Sequence, residues 1–431
     1  MLFDISHFVC RLLANMYHES NFDHLPNQSN IYGITCIKGL STQHNTVLVG
    51  SAKGKIFACE YRNKLSDVRS LSREVSFTYI PGKCSIISID SFSCAARGLV
   101  IGVTFCNETD ESFFNIYCNY GDDVMPGQEW SLDNVAQNCR SFALDFVPYQ
   151  LMHCKARCPV SQLQSSVFVL LGGEQRFHVF AQRKNDVVFS EVKAQEYFSE
   201  LTATDSIPTY LEIKAVDDAQ RITAIGCDDG LILAYLVNAE TNSVCASWKI
   251  QHDSPVVQIM LYERCISCDS TASQHEAPAL REMAKHDICI VSAREDTVLY
   301  RNLLTDGFDN PLVLAGSSNY DCVTCCALVA NSNTGSHEIL VGTYGQKLLA
   351  YDITSLNAKA YECISPAWRR EFAHPLLKIK LLDIAGDGVD EMVVITTKGV
   401  HILQPDMNNL LKICREELSK LAVNSAKTTK T

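Results

Sequence analysis

Side chains suited to metal binding or to reaction gather in a few short clusters. Asp383-x-Ala385-x-Asp387-Gly388-x-x-Glu391 begins like a calcium loop, in which alternate carboxylates and a later acid surround a hard cation with oxygen. Ala385 stands where one of those oxygens belongs. Asp383, Asp387 and Glu391 thus form a degenerate calcium set, and the stretch reads first as a turn, with Gly388 easing the backbone and aspartates capping local N–H groups. "NSNTGSHE" (331–338) offers Asn331, Asn333 and Glu338 but is one residue short. Cys265-x-x-Cys268, with His275 and His286 nearby, has zinc-type ligands, yet the second pair, Cys322-x-x-Cys325, begins after 53 intervening residues and inside an apolar run. "GSAKGKI" (50–56) resembles a phosphate loop, but Ile56 occupies the place where Ser or Thr must reach magnesium. Gly-x-Ser-x-Gly, His-Glu-x-x-His and the dinucleotide fingerprint are absent. The expectation is a protein that is not an enzyme and needs no cofactor.

Whatever those clusters do, something must hold them, and the chain has ample material. It has 431 residues, 47% hydrophobic and 20% charged, more than one hydrophobic core usually supports. The net charge is −12 without a basic block, whereas a phosphate-tracking surface needs clustered Lys and Arg, so nucleic acid is excluded as a partner class. Twenty cysteines sit largely mid-strand beside apolar residues, among them Cys36, Cys59, Cys118, Cys227, Cys289 and Cys326, as small buried hydrophobes do in a reducing compartment. Residues 1–20 carry Asp4, His7 and Arg11 inside an apolar run and make a poor signal peptide, and no apolar run approaches membrane-spanning length. A cytoplasmic protein without membrane insertion is expected.

The positioning elements repeat. "TVLVGSAKGKIFACEY" (46–61), "GLVIGVTF…FNIYCNY" (98–120), "SVFVLLGGEQRFHVF" (166–180), "RITAIGCDDGLILAYLV" (221–237), "DICIVSAREDTVLYRNL" (287–303), "EILVGTYGQKLLAYD" (338–352) and "EMVVITTKGVHIL" (391–403) each read as strand, turn, strand. Their first strands start at intervals of 52, 68, 55, 66, 51 and 53 residues. The two long intervals contain polar stretches, 152–165 and 263–287, read as insertions. Seven hairpins at this period predict a seven-bladed β-propeller over 21–404. Blades fall near 31–80, 85–135, 141–192, 210–250, 255–314, 322–372 and 376–404. Apolar runs before each hairpin ("IYGITCI", "SIISIDSF", "SFALDFV", "YLEIKAV", "PVVQIML", "CVTCCALV", "LLKIKLL") are expected as inner strands buried on both faces. Weaker runs (74–80, 186–192, 244–250, 367–372) serve as outer strands. The last blade lacks one, so a segment within 20–30 is expected to close the ring and remove its exposed edge. Leu410, Leu411, Cys414, Leu418 and Leu421 predict an amphipathic helix over 405–423, packed on the propeller, before a disordered tail at 424–431.

The blade type follows from what is missing. There is no recurring Gly-His…Trp-Asp pair, and the kelch diglycine occurs once, at Gly172-Gly173. The Asp383 loop resembles the FG-GAP repeat of integrin-α propellers, in degenerate form. More specific words, "SNIYGI" (29–34), "FTYIP" (77–81), "SIISIDSF" (85–92), "RGLVIGVTF" (97–105), "NIYCNY" (115–120), "SLDNVAQNC" (131–139), "VGTYGQKLLAY" (341–351) and "KGVHILQ" (398–404), resemble the kaptin family of KICSTOR complex subunits across the whole propeller.

That resemblance implies a scaffold subunit, peripheral at the lysosomal membrane. Its implied partners are an FG-GAP-repeat propeller protein as heterodimer companion, a large KICSTOR scaffold subunit, and the GATOR GTPase-activating complex. The implied role is to restrain TOR kinase signalling when amino acids or glucose are scarce. The same resemblance carries an alternative, an actin-filament-associated protein of lamellipodia, although no stretch resembles an actin-binding element. A calcium-binding or hydrolytic propeller is the second alternative. Trp130 in "MPGQEWSLDN" and Tyr344 in "TYGQ" are loop-borne aromatics suited to anchoring a partner. Asp228 and Asp229 read as an ordinary hairpin turn.

Overall fold

In the computed structural model the described residues are 17–37, 45–64, 67–94, 98–119, 131–157, 164–182, 188–264, 286–331, 336–354, 362–386, 388–406 and 415. They form seven sheets, antiparallel except for one parallel pair, and in chain order except for two strands. The first strand, β1 (Tyr17–His24), is set aside by its sequence neighbours. The first blade follows as β2 (Ile34–Ile37), β3 (Thr46–Gly50), β4 (Ile56–Lys64) and β5 (Asp67–Val75). The second is β6 (Cys84–Cys94), β7 (Gly98–Asn107), β8 (Ser112–Tyr117) and β9 (Cys139–Leu144), and the third is β10 (Pro148–Arg157), β11 (Gln164–Gly172), β12 (Phe177–Gln182) and β13 (Phe189–Val192). The fourth is β14 (Pro208–Ala215), β15 (Gln220–Cys227), β16 (Leu231–Asn238) and β17 (Ser243–Gln251). The fifth starts with β18 (Val256–Glu263), β19 (His286–Ser292), β20 (Thr297–Tyr300) and β21 (Pro311–Leu314). The sixth starts with β22 (Val323–Asn331), β23 (Ser336–Thr343) and β24 (Lys347–Asp352). The chain then runs along the fifth blade as β25 (Glu362–Ile364), parallel to β21, before β26 (Trp368–Glu371) completes the sixth. The last blade is β27 (Leu376–Leu382), β28 (Glu391–Thr396) and β29 (Gly399–Pro405), whose outer edge is taken by β1 through Tyr17↔Pro405 to His24↔Gly399.

Why these sheets make a ring is visible in their cores. Successive residues of a strand point to opposite faces. In β3, Val47 and Val49 enter one core, shared with Val393, Ile395 and Ile402 of the last blade, while Leu48 enters another, shared with Ile86 and Val103 of the second. In β11, Val167, Val169 and Leu171 face blade four while Phe168 and Leu170 face blade two. There are seven such clusters, one in each joint between neighbouring blades, including the joint between the last blade and the first. A second strand covered on both faces must be apolar throughout, and β19 and β28 are buried at every residue. The joints are close: a Cβ on Gly226 would lie 2.3 Å from Val256 of the next blade, and one on Gly50 would lie 2.5 Å from Ile86.

Polar groups stitch the same joints. Gln150 of β10 accepts from the Leu211 N–H at 2.6 Å and donates to the Leu211 carbonyl at 3.0 Å, and Gln258 of β18 does the same to Cys326 at 3.0 and 3.0 Å. Thr209 and Thr324 occupy register shifts near the starts of β14 and β22, where each hydroxyl reaches a carbonyl of its own blade and one of the next. A bulge here turns an inner-strand residue toward its neighbour.

Several boundaries differ from expectation. "SFALDFV" lies not on an inner strand but largely on β9, the outer strand of blade two, while "MHCKAR", read as insertion, is the second half of inner strand β10. The closing strand begins at Tyr17, ahead of the 20–30 window. The outer strand of the first blade is β5, upstream of 74–80. Strands buried on both faces are the second ones, since each inner strand leaves one edge on the central channel. Of the helix expected over 405–423, Pro405 instead ends β29, and beyond it only Asp406 and Arg415 are described; the rest, with 424–431, lies outside the described residues. No helix among the described residues is long and apolar enough to cross a membrane.

Candidate functional site

Inner strands of blades that do not touch can meet only across the channel, and several side chains do. At the end where inner strands begin, the Tyr32 hydroxyl of blade one donates to the Thr209 carbonyl of blade four at 2.9 Å. Burial raises that phenol's pKa well above the ordinary range, so it is the neutral donor. Deeper in, Glu212 and Lys214 of β14 oppose Lys378 and Lys380 of β27. Burial pushes Glu212 up to about 7 against the pull of Lys380, Lys378 and Lys214. Burial, with repulsion from Lys380, brings Lys378 down to about 8. Burial also lowers Lys214. Lys378 Nζ donates to the Ile31 carbonyl and Lys214 Nζ to the Leu261 carbonyl, each at 3.3 Å. The channel therefore holds opposed charges, of which Glu212 and Lys378 are shifted towards neutrality. Their spacing was legible: "LEIK" and "LKIK" place charges two apart on otherwise apolar strands, which puts both on the channel side.

The far mouth of the channel opens into a cavity of about 830 Å³ between the ends of β2, β6, β10 and β14. On its wall His153 Nδ1 meets Asp90 Oδ2 at 2.7 Å, with Phe92 against the imidazole at 5.1 Å. At the joint of blades three and four, Arg221 is clamped by Glu200, Nε to Oε1 at 3.0 Å and Nη2 to Oε2 at 2.9 Å, with Thr223 donating to Glu200 at 2.7 Å. Phe198 lies 5.0 Å beneath the guanidinium. A buried ion pair needs further polar partners, and Asn242 Oδ1 and the Tyr197 carbonyl supply them to Nη2.

The opposite face carries the second-to-third-strand turns and the connectors between blades. Three of the five exposed large hydrophobic residues among those described sit on it: Tyr79, Val147 and Tyr344. Tyr79 is 74% exposed on a left-handed backbone, φ 59°. Buried Asn115 donates to the Tyr79 carbonyl at 3.2 Å and buried Tyr117 to the Thr78 carbonyl at 2.6 Å, while the Thr78 N–H donates to Ala136 at 3.1 Å. Nothing in the sequence pattern around "FTYIP" marks Tyr79 as exposed, because its presentation depends on partners some forty and sixty residues away.

The residues singled out from sequence distribute as follows. Asp383 caps its own turn, accepting from Gly386 N–H at 2.7 Å and Gly388 N–H at 2.9 Å, and buried Glu391 accepts from Ile384 N–H at 2.8 Å and Ala385 N–H at 3.3 Å. Asp387 lies outside the described residues, as do Trp130, Cys265, Cys268 and His275. No group of three His, Cys, Asp or Glu among the described residues is placed to hold a metal ion. Tyr344 is 44% exposed, its N–H fixed to the Cys322 carbonyl at 2.8 Å. Cys325 is fully buried and burial pushes its thiol up to about 12, so it is an inert thiol. In the "GSAKGKI" turn Ser51 Oγ accepts from the Lys53 and Lys55 N–H groups, and in the next acidic turn Asp228 and Asp229 accept from Ile207 and Leu231.

These features define the class: an all-β, seven-bladed propeller closed by its N-terminal strand, with side chains that bridge the channel and a turn face that presents rigid aromatics. At the level of fold it is similar to the N-terminal domain of BBS1 solved in complex with ARL6DN (TM-score 0.56, 10% identity, covering 91% of this chain and 97% of that one). Saccharomyces cerevisiae Sqt1 gives 0.52 at 10% identity, covering 91% and 100%, and Chaetomium thermophilum Raptor gives 0.51 at 9%, covering 93% of this chain and 29% of that one. The sequence places it further. The family described as KICSTOR complex protein kaptin matches residues 17–415, and the mouse KICSTOR complex protein kaptin is 33% identical over 394 residues, 90% of this chain and 87% of that protein. The chain belongs to the kaptin family.

Proposed function

We propose that the protein is a non-catalytic scaffold subunit of a KICSTOR-type complex. In this reading it binds an FG-GAP-repeat propeller companion and a large scaffold subunit, recruits the GATOR GTPase-activating complex to lysosomes, and restrains TOR kinase signalling during amino-acid or glucose shortage. The observation that carries the reading is the family match over residues 17–415. Two features support it. A closed ring is a rigid support on which loops can be held for partners. Tyr79, fixed in a strained conformation by buried side chains yet left in water, suits an interface anchor, because an ordered aromatic loses little entropy on binding. In this reading the Asp383 loop is a degenerate FG-GAP unit kept for its turn.

The test is affinity purification of the tagged chain from nutrient-starved cells. Recovery of the large scaffold subunit and the GATOR complex is expected; recovery of filamentous actin without either would overturn the reading. With the complex in hand, Tyr79→Ser and Tyr344→Ser locate the docking face, and the outcome expected is lost co-purification at unchanged melting temperature.

A further inference from the structure

The cavity at the far mouth has one wall that packing does not explain. Arg221 is buried, with a side chain 7% exposed, and its charge is already balanced by Glu200, whose side chain is 0% exposed. Its Nε and Nη2 are fully used: Glu200 takes both, Asn242 Oδ1 accepts from Nη2 at 3.0 Å, and the Tyr197 carbonyl lies 3.4 Å away. Nη1 makes no hydrogen bond to a described residue, and it is not among the atoms sealed from solvent without a partner. Arg221 lines the cavity, and Nη1 is its guanidinium nitrogen without a described partner. A purely structural arginine would bury the whole fork. This one is clamped on three sides and offers the fourth, which is the preorganisation that oxyanion recognition exploits.

The cleft carries charges of both signs, and two of its basic groups lack a close partner among the described residues. Arg157, at the end of β10, lines the same cleft and reaches Glu240 only at 3.8 Å, too long for a strong pair. Lys155 is exposed beside it, and Gln164 and Gln220 add neutral donors from β11 and β15. Of the two acids on the rim, Asp217 is turned into its own loop, accepting from the Ala219 and Gln220 N–H groups at 2.7 Å each. Asp218 remains exposed at the edge. We propose that the cleft between blades three and four binds a small anionic molecule, whose phosphate or carboxylate group sits on Arg221 Nη1 and Arg157. A cavity of about 830 Å³ is the size of small-molecule sites in proteins generally. The site lies on the face away from Tyr79 and Tyr344, and it stands or falls independently of the scaffold reading.

The experiment is calorimetric titration and thermal melting of the full-length chain with sodium pyrophosphate in one arm and sodium citrate in the other, sodium chloride matching the ionic strength. A saturable response is expected in at least one arm: pyrophosphate alone identifies a phosphoryl ligand, citrate alone a polycarboxylate, and both an oxyanion site open to either. Arg221→Ala breaks a buried pair and is unsafe for folding, so the decisive variants lie on the rim. Arg157→Ala should weaken binding about tenfold, as loss of a charged hydrogen bond does. Asp218→Asn, which removes a like charge, should tighten it about two- to threefold. Absence of saturation in both arms overturns the proposal. So does a response that Arg157→Ala and Asp218→Asn leave unchanged, which would mean binding elsewhere on the surface.

Discussion

The Tyr32 hydroxyl of blade one reaches across the ring axis to the Thr209 carbonyl of blade four, and its ring packs against the core between blades four and five. This bond ties opposite sides of the ring together at the turn face. Tyr32→Phe keeps the ring's apolar packing and removes only that bond. The expected cost is about 1 kcal/mol in guanidinium unfolding, the net worth of one intramolecular hydrogen bond. A variant as stable as the parent would show that the cross-axis contact carries no weight.

Charge in the channel makes stability depend on pH. Glu212 rises on folding to about 7 from an ordinary 4.5, so the folded chain holds more protons than the unfolded one between those values, and stability falls as pH climbs through that window. Lys378 falls to about 8 from 10.5, so the folded chain holds fewer protons there, and stability recovers as pH climbs from about 8 towards 10.5. Both groups are charged against the preference of the site between pH 7 and 8. Glu212→Gln should therefore stabilise at pH 8, by on the order of 1 kcal/mol once water in the channel is allowed for, and should match the parent near pH 5. Denaturant midpoints for both chains at the two pH values decide it; a gain at pH 5 that disappears at pH 8 reverses the sign.

The joint between blades four and five has no room for a methyl group at position 226. Gly226→Ala forces its Cβ onto Val256, which is itself held by the core of that joint. Overpacking of this kind costs about 1–3 kcal/mol. Adding Val256→Ala should recover part of the loss, giving a favourable coupling in a double-mutant cycle. Strict additivity would mean that the two residues do not compete for the same space.

Glu391 tests the loop that most resembles a metal site. Its carboxylate accepts two N–H groups of the 384–385 turn, so Glu391→Ala should cost about 1–3 kcal/mol by leaving buried donors unpaired. The same loss is expected with and without millimolar calcium. A melting temperature that rises with calcium in the parent and not in Glu391→Ala would restore the cation.

Much of the ring could be read from the chain. Each hairpin of second and third strands is continuous in sequence, and a strand enclosed by two neighbours writes an unbroken apolar run, as in "TVLVG" and "EMVVIT". Seven such signals at similar spacing therefore announce seven blades. Strands that join a blade from a distance leave no such trace. β1 is half polar and begins at Tyr17, and its place is fixed by pairing with β29 some 380 residues later. β25 is three residues long and is a strand only because β21 lies beside it. "MHCKAR" looks like an insertion because its polar residues face the channel mouth, a surface that exists only when four inner strands converge.

The candidate sites divide the same way. The turn chemistry of Asp383 and Gly388 is local, and residue types alone settle it, whereas Asp228 is held by Ile207 some twenty residues upstream. Arg221 with Glu200, Tyr79 on Asn115 and Tyr117, and Glu212 opposite Lys378 are all assembled from separate strands or blades. By itself the sequence determined how many sheets form and which residues each one buries, because alternation along a strand is a short-range property. The tertiary structure decided which edge closes the ring, what the channel holds and where a guanidinium is left facing a cavity, because those contacts depend on distances between chain segments that no local pattern encodes.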